Sequence, residues 1–203
     1  MISRALLLVA LASLSPWAAA ECECLWQGSF DEVQAKTDLV VAAEVASTKG
    51  NSIDLNTAQV LRGTLPPVEL RVWLAYEDHC RPPTDTFPVG SRWVMALTRI
   101  DEKVSGGFNP NTPNYSYGRV GDYMLSNCGG YWLKWEGDAV TGNLVDAPRW
   151  DHEPKMTPVL LELIAAFVAG KADSAALLAA SQEDPALREL RLNTRAFLRG
   201  DEE

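Results

Sequence analysis

The chain has 203 residues, and its 27 Asp and Glu outnumber its 18 Lys and Arg to give a formal net charge of −9. So acidic a surface, with no local run of basic side chains to offset it, excludes nucleic acid and anionic lipid surfaces as partners, because phosphate binding is carried by Lys and Arg. The length allows one domain with a proper core and an appendage.

Residues 1–20 carry the three parts of a secretory signal: the positive charge of Arg4, the apolar run Ala5–Leu14, and small residues at Ala18 and Ala20. That run is shorter than the ~20 residues a membrane-spanning helix needs. The later apolar stretch Val159–Val168 is no longer and contains Glu162, so no span is expected after cleavage. Cleavage after Ala20 makes Glu21 the first mature residue. The expectation is an exported protein, periplasmic or extracellular, in an oxidising space.

All four cysteines, Cys22, Cys24, Cys80 and Cys128, follow the leader. An even set in an exported chain reads as two disulfides, with three connectivities open. A direct Cys22–Cys24 bridge is disfavoured by geometry, and the other pairings tie the N-terminus to two points remote in the sequence. Cys22-Glu-Cys24 as a soft-metal site is the lesser alternative, and neither a metal nor a cofactor is expected.

Strand patterns begin after Thr37. Asp38–Val45 is β-rich and runs towards the turn Lys49-Gly50-Asn51-Ser52, and Ile53–Leu61 follows and stops at Arg62-Gly63. Val68–Leu74 alternates, which predicts Val68, Leu70, Val72 and Leu74 inward and Glu69, Arg71 and Trp73 outward. Ser91–Thr98 is entered through Pro88-Val89-Gly90. Gly106–Gly121 is a long polar loop, a length associated with function. Tyr123–Leu125, Tyr131–Trp135 and Ala139–Leu144 are short strands between glycine turns.

After Trp150 the period becomes helical. Thr157-Pro158 predicts an N-cap and first helical residue, with the helix ending at Gly170. Ser174–Ala180 is a short alanine-rich helix, and Asp184-Pro185 opens a last one running to Gly200. The organisation is a signal at 1–20, a β barrel over 21–150 and a helical segment over 151–203. The fold class is mainly β with C-terminal helices.

Cys22-Glu-Cys24 directly after the leader, Asp38-Leu-Val-Val41, Val60-Leu-Arg-Gly63, Cys80, Gly90 with Trp93–Leu97, and Cys128, in that order and spacing, resemble the netrin-like OB-fold domain of the tissue inhibitors of metalloproteinases. The resemblance covers Cys22–Trp135. It implies a five-stranded Greek-key barrel and the disulfides Cys22–Cys80 and Cys24–Cys128. The family's further barrel disulfide has neither cysteine here, and its cysteine-rich C-terminal domain is replaced by the helical segment. The resemblance also implies a non-enzymatic protein-binding module, with a zinc metalloprotease as candidate partner and Glu21, Cys22, Glu23 and Cys24 as the inhibitory edge. In those inhibitors the first cysteine begins the mature chain, its amine and carbonyl chelate the protease zinc, and a small residue follows it. Here Glu21 precedes Cys22 and Glu23 stands in the small residue's place.

Beside the resemblance, the aromatics Phe108, Tyr115 and Tyr117 form a candidate binding loop, while Trp132 or Trp135 is expected to pack against the C-terminal helices. An envelope or extracellular adaptor using that loop and those helices is the alternative function. His79 and His152 lack metal-site spacing. No nucleophile elbow or phosphate-binding glycine loop occurs, so an enzyme is not expected. Asn114-Tyr-Ser116 is a glycosylation sequon, meaningful only in a eukaryotic secretory route.

Overall fold

A computed structural model describes residues 22–77, 79–105, 107–108, 115–147 and 158–181. The leader, the predicted edge residue Glu21, Asn114, His152, Thr157 and the predicted last helix lie outside the described residues. Among those described are eight strands: β1 (Leu39–Lys49), β2 (Ser52–Arg62), β3 (Leu70–Trp73), β4 (Arg92–Arg99), β5 (Tyr123–Met124), β6 (Trp132–Glu136), β7 (Ala139–Gly142) and β8 (Val159–Leu160). Three short helices accompany them, α1 (Phe30–Val33), α2 (Leu161–Val168) and α3 (Ser174–Ser181).

The first five strands close into a barrel. β1 pairs antiparallel with both β2 and β4, β2 pairs with β3, and β5 joins β3 to β4. The β3–β5 pairing is parallel, Val72 beside Tyr123 and Trp73 beside Met124. This is the mainly β, OB-like barrel with helices behind it that the sequence predicts. β1 and β2 form a hairpin whose turn, Gly50-Asn51, uses a positive φ of 60° at Gly50. Leu39–Ala43 is buried at every position, so β1 is covered on both faces. That explains an apolar run rather than an alternation.

β6 pairs with the first half of β4, and β7 and β8 extend the sheet from there. β8 alters one expectation: helix α2 starts at Leu161 rather than at Pro158. Val159 and Leu160 are held extended by pairing with Val140 and Ala139, and the Leu161 amide donates to Asp138 O. The helix ends as predicted, with Gly170 at φ +71°. Ile164 of α2 and Leu177 of α3 are fully buried in the same apolar cluster as the barrel core.

The alternation over Val68–Leu74 is corrected at both ends. Val68 precedes the strand and is 64% exposed, whereas Trp73, on the face expected to be polar, is only 2% exposed. Trp73 is buried because Phe108 lies over it with ring centroids 5.9 Å apart, and its indole N–H donates to Asp122 at 2.9 Å. Arg71, on the same face, makes a bidentate pair with Asp54 at 2.6 and 2.9 Å, and the Ser47 hydroxyl donates to the same carboxylate. Burial pushes the Asp54 carboxyl up, but its bonds from Arg71 and Ser47 outweigh that and hold it below the usual carboxylate range. The stability this pair contributes is therefore present above about pH 4, the ordinary aspartate range, and is lost as pH falls from there through the lower native value. Asp54→Asn is expected to cost about 2 kcal/mol at pH 7, because it removes the bidentate partner of a largely covered guanidinium and leaves it only the exposed Glu69. In urea unfolding measured from pH 7 to pH 2, the gap between the two proteins should close only below about pH 4; a constant gap refutes the pairing.

Candidate functional site

Residues Cys22–Gln27 are extended and belong to no strand or helix. Their exposure alternates: Glu23, Leu25 and Gln27 face solvent, while Cys22, Cys24 and Trp26 are partly covered. Leu25 is 88% exposed, an unusual position for a large apolar side chain. The segment is nevertheless fixed. Cys22 is bridged to Cys80 and Cys24 to Cys128, with Cα atoms 5.2 and 5.8 Å apart. The Gln27 amide donates to Cys128 O at 2.7 Å, the Tyr131 hydroxyl donates to Gln27 Oε1, and the Gly130 amide donates to Gly28 O. These are the two bridges that the family resemblance implies.

Cys80 and Cys128, remote in sequence, are neighbours in space. β3 and β5 run parallel and side by side, so the segments leaving their C-terminal ends emerge together. The Asn127 amide then donates to Cys80 O at 3.0 Å. All four Sγ atoms lie within 4.8 Å of one another, so the N-terminus is held at one point rather than two.

At its far side this anchor merges with the aromatic loop. Cys80 is flanked by His79 and Arg81, and both touch Tyr117: the His79 ring edge-on at 4.9 Å, the Arg81 guanidinium over the ring at 4.4 Å. Arg81 is buried and also donates to Tyr117 O at 2.5 Å. Burial pushes its pKa down, and it is paired with no carboxylate among the described residues. His79 Nδ1 lies 3.0 Å from Tyr76 O. The predicted edge and the predicted loop therefore share one surface, joined through residues 79–81.

The loop aromatics divide by role. Tyr115 is 67% exposed, Phe108 is half covered by Trp73 and Arg119, and Tyr117 is packed. Trp132 lies edge-on to Phe87 in the connection between β3 and β4, and the Trp135 ring lies under the Arg92 guanidinium at 4.4 Å.

Asn51 is the residue the sequence reading missed. It is 2% exposed, and its amide group donates to Leu74 O, Ala75 O and Ser116 O while accepting from the Ser116 amide at 3.0 Å. The Gly-Asn turn signal was visible, but its side chain's partners lie up to 65 residues away. Asn51→Ala removes both donated N–H groups, shared among three carbonyls, and the one accepted bond, and is expected to cost about 3 kcal/mol. It should also speed hydrogen exchange at Ser116 by a similar factor in free energy; an unchanged Ser116 amide contradicts this anchoring.

A groove of about 550 Å³ lies between Thr64–Glu69 and Arg119–Tyr123. Its arginines are each paired, Arg71 with Asp54, Arg99 with Asp101 and Arg119 with Asp122, and none of the predicted site residues lines it. Comparison with protein-family models, curated proteins and solved structures gives no match to this chain.

Proposed function

We propose that this chain is an exported, non-enzymatic protein-binding module whose contact edge is Cys22–Gln27, with a zinc metalloprotease as the candidate target. The observation that supports it is an extended, solvent-facing segment that is covalently pinned instead of being paired into a sheet. Such a segment resembles a bound peptide before it meets a partner, so little ordering entropy is lost on binding. Leu25 supplies a large exposed apolar side chain whose burial in a partner's pocket is favourable. The resemblance to the metalloproteinase inhibitors supplies the class of target.

Glu21 decides the mode. With Glu21 in place the Cys22 nitrogen is an amide, which offers no lone pair to zinc. Removal of Glu21 creates a free amine on the same rigid edge. Both forms, beginning at Glu21 and at Cys22, are to be assayed at about micromolar concentration against a panel of zinc proteases. The form beginning at Cys22 should inhibit at least one, and Leu25→Ala should weaken that inhibition by about tenfold or more, a typical anchor loss. Full protease activity with both forms removes the inhibitor reading.

The adaptor reading draws on Tyr115, exposed on a loop that Asn51 holds in place. Under it Tyr115→Ala abolishes partner capture and Leu25→Ala does not.

A further inference from the structure

The four sulfurs do more than form two bridges side by side. We infer that, when reduced, Cys22, Cys24, Cys80 and Cys128 form a tetrathiolate site for one zinc-class divalent cation. Zinc bound by four thiolates at about 2.3 Å places its sulfurs roughly 3.8 Å apart at the corners of a tetrahedron. Here every pair of Sγ atoms is within 4.8 Å, and one of the four unbridged pairs, Cys22 and Cys24, is 4.0 Å apart. Opening both bridges frees each sulfur to move outward towards that spacing by side-chain rotation.

The backbone that carries the thiols is held independently of the bridges. Cys80 O accepts from the Asn127 amide and Cys128 O accepts from the Gln27 amide, and Gln27 is itself bonded by Tyr131. Asn127 also contributes through its side chain. Its Oδ1 lies 3.8 Å from both Cys22 Sγ and Cys128 Sγ. Rotated so that nitrogen faces the sulfurs, the side-chain amide donates to two thiolates at once, the outer-sphere support that metal-bound sulfur requires. A zinc tetrathiolate carries two negative charges. Arg81, next to Cys80 in the chain, is a buried cation paired with no carboxylate among the described residues, and it supplies charge of the right sign.

The chemistry balances with a named reductant. Each disulfide takes two electrons and two protons from a dithiol, which leaves as its own cyclic disulfide. The cation then displaces four thiol protons. Oxidised or metal-loaded, the cluster ties Cys22 and Cys24 to the ends of β3 and β5, so the edge keeps its place in either state. In the metal-loaded state that tether depends on metal supply.

The test uses residues 21–203, fully reduced with a water-soluble phosphine, desalted without oxygen and titrated with Co²⁺. The expected result is one equivalent bound, with intense thiolate-to-cobalt charge-transfer absorption, the visible bands of tetrahedral cobalt, about four protons released, and displacement by one equivalent of Zn²⁺. The oxidised protein should bind none. Cys22→Ser should weaken binding by more than the roughly 10- to 100-fold that loss of an outer-sphere partner costs, and Asn127→Ala by about that range. Near-ultraviolet circular dichroism reports whether the reduced chain stays folded or refolds as metal binds. No cobalt uptake, multiple or fractional stoichiometry, a metal-loaded chain that remains unfolded, or equal affinity in denaturing urea each overturns the site. None of these outcomes depends on whether the edge inhibits a protease.

Discussion

Replacing Cys24 and Cys128 by alanine should lower the unfolding free energy by about 4 kcal/mol, and replacing Cys22 and Cys80 should lower it by nearly the same amount. The sequence separations, 104 and 58 residues, do not set these costs directly. With either bridge in place, the second closes one common ring: residues 22–24, the path from 80 to 128, and the two sulfur links. In the chain-entropy account, deleting either bridge opens that same ring. Deleting both opens the remaining long loop as well, and the combined loss is comparable with the whole stability of a typical domain. The edge should behave differently from the global stability. One bridge suffices to hold residues 22–24 against the barrel, so the Gln27 amide, bonded to Cys128 O, should remain slow to exchange in each two-site variant. It should exchange rapidly only in the variant lacking all four cysteines. Urea unfolding and amide exchange measure the two effects separately. A fast Gln27 amide after loss of the Cys22–Cys80 bridge alone would contradict the shared tether.

The parts of this structure that were legible in the sequence are those fixed by local chemistry. Gly50-Asn51 between two β-rich runs marks a hairpin, and the hairpin is there. Gly170 marks the end of α2, and it caps that helix. Short patterns with turns between them give the barrel strands to within a few residues. The unread parts depend on partners distant in the chain. Trp73 breaks the alternation of its strand because Phe108 and Asp122, brought over it by the long loop, turn an outer face into an inner one. β8 required knowing that β7 leaves an edge for Val159 and Leu160. The short helix α1 was readable and missed: Ser29-x-x-Glu32 is a capping signature, and Glu32 Oε2 accepts from the Ser29 amide at 2.9 Å. At the candidate site, the cysteine pattern together with the family resemblance gave the bridge partners. It could not show that the partners converge, because that follows from the parallel pairing of β3 with β5. Arg81 and Asn51 carry no local signal at all, since what distinguishes them is burial beside backbone from another part of the fold.

The second large effect concerns a glycine of ordinary backbone geometry. A Cβ on Gly130 would lie 2.5 Å from Asn143 O and 2.7 Å from Phe30 N. Those two atoms are the acceptor and donor of the 2.8 Å hydrogen bond that fastens the start of α1 to the end of β7. Neither is the free end of a side chain, so a methyl group can be accommodated only by parting two backbones. Gly137 offers the contrast. Its φ of +60° disfavours an L-residue, yet a Cβ there meets nothing within 4 Å. Gly137→Ala should therefore cost about 1 kcal/mol, the ordinary penalty for left-handed backbone. Gly130→Ala should cost about 3 kcal/mol or more, in the range of overpacked interiors. The strain also has a direction. Gly130 donates to Gly28 O, so the displaced backbone is the one that leads directly into the Cys22–Gln27 edge. Because Cys24 stays bridged to Cys128, two residues before Gly130, the edge cannot simply lift away. It must shift relative to the barrel while still anchored. The expected signature is a large loss in urea unfolding together with faster exchange at Phe30 and Gln27 in the folded protein. If Gly130→Ala proves milder than Gly137→Ala, the close approach of these backbones is wrong, and with it the rigid seat of the edge.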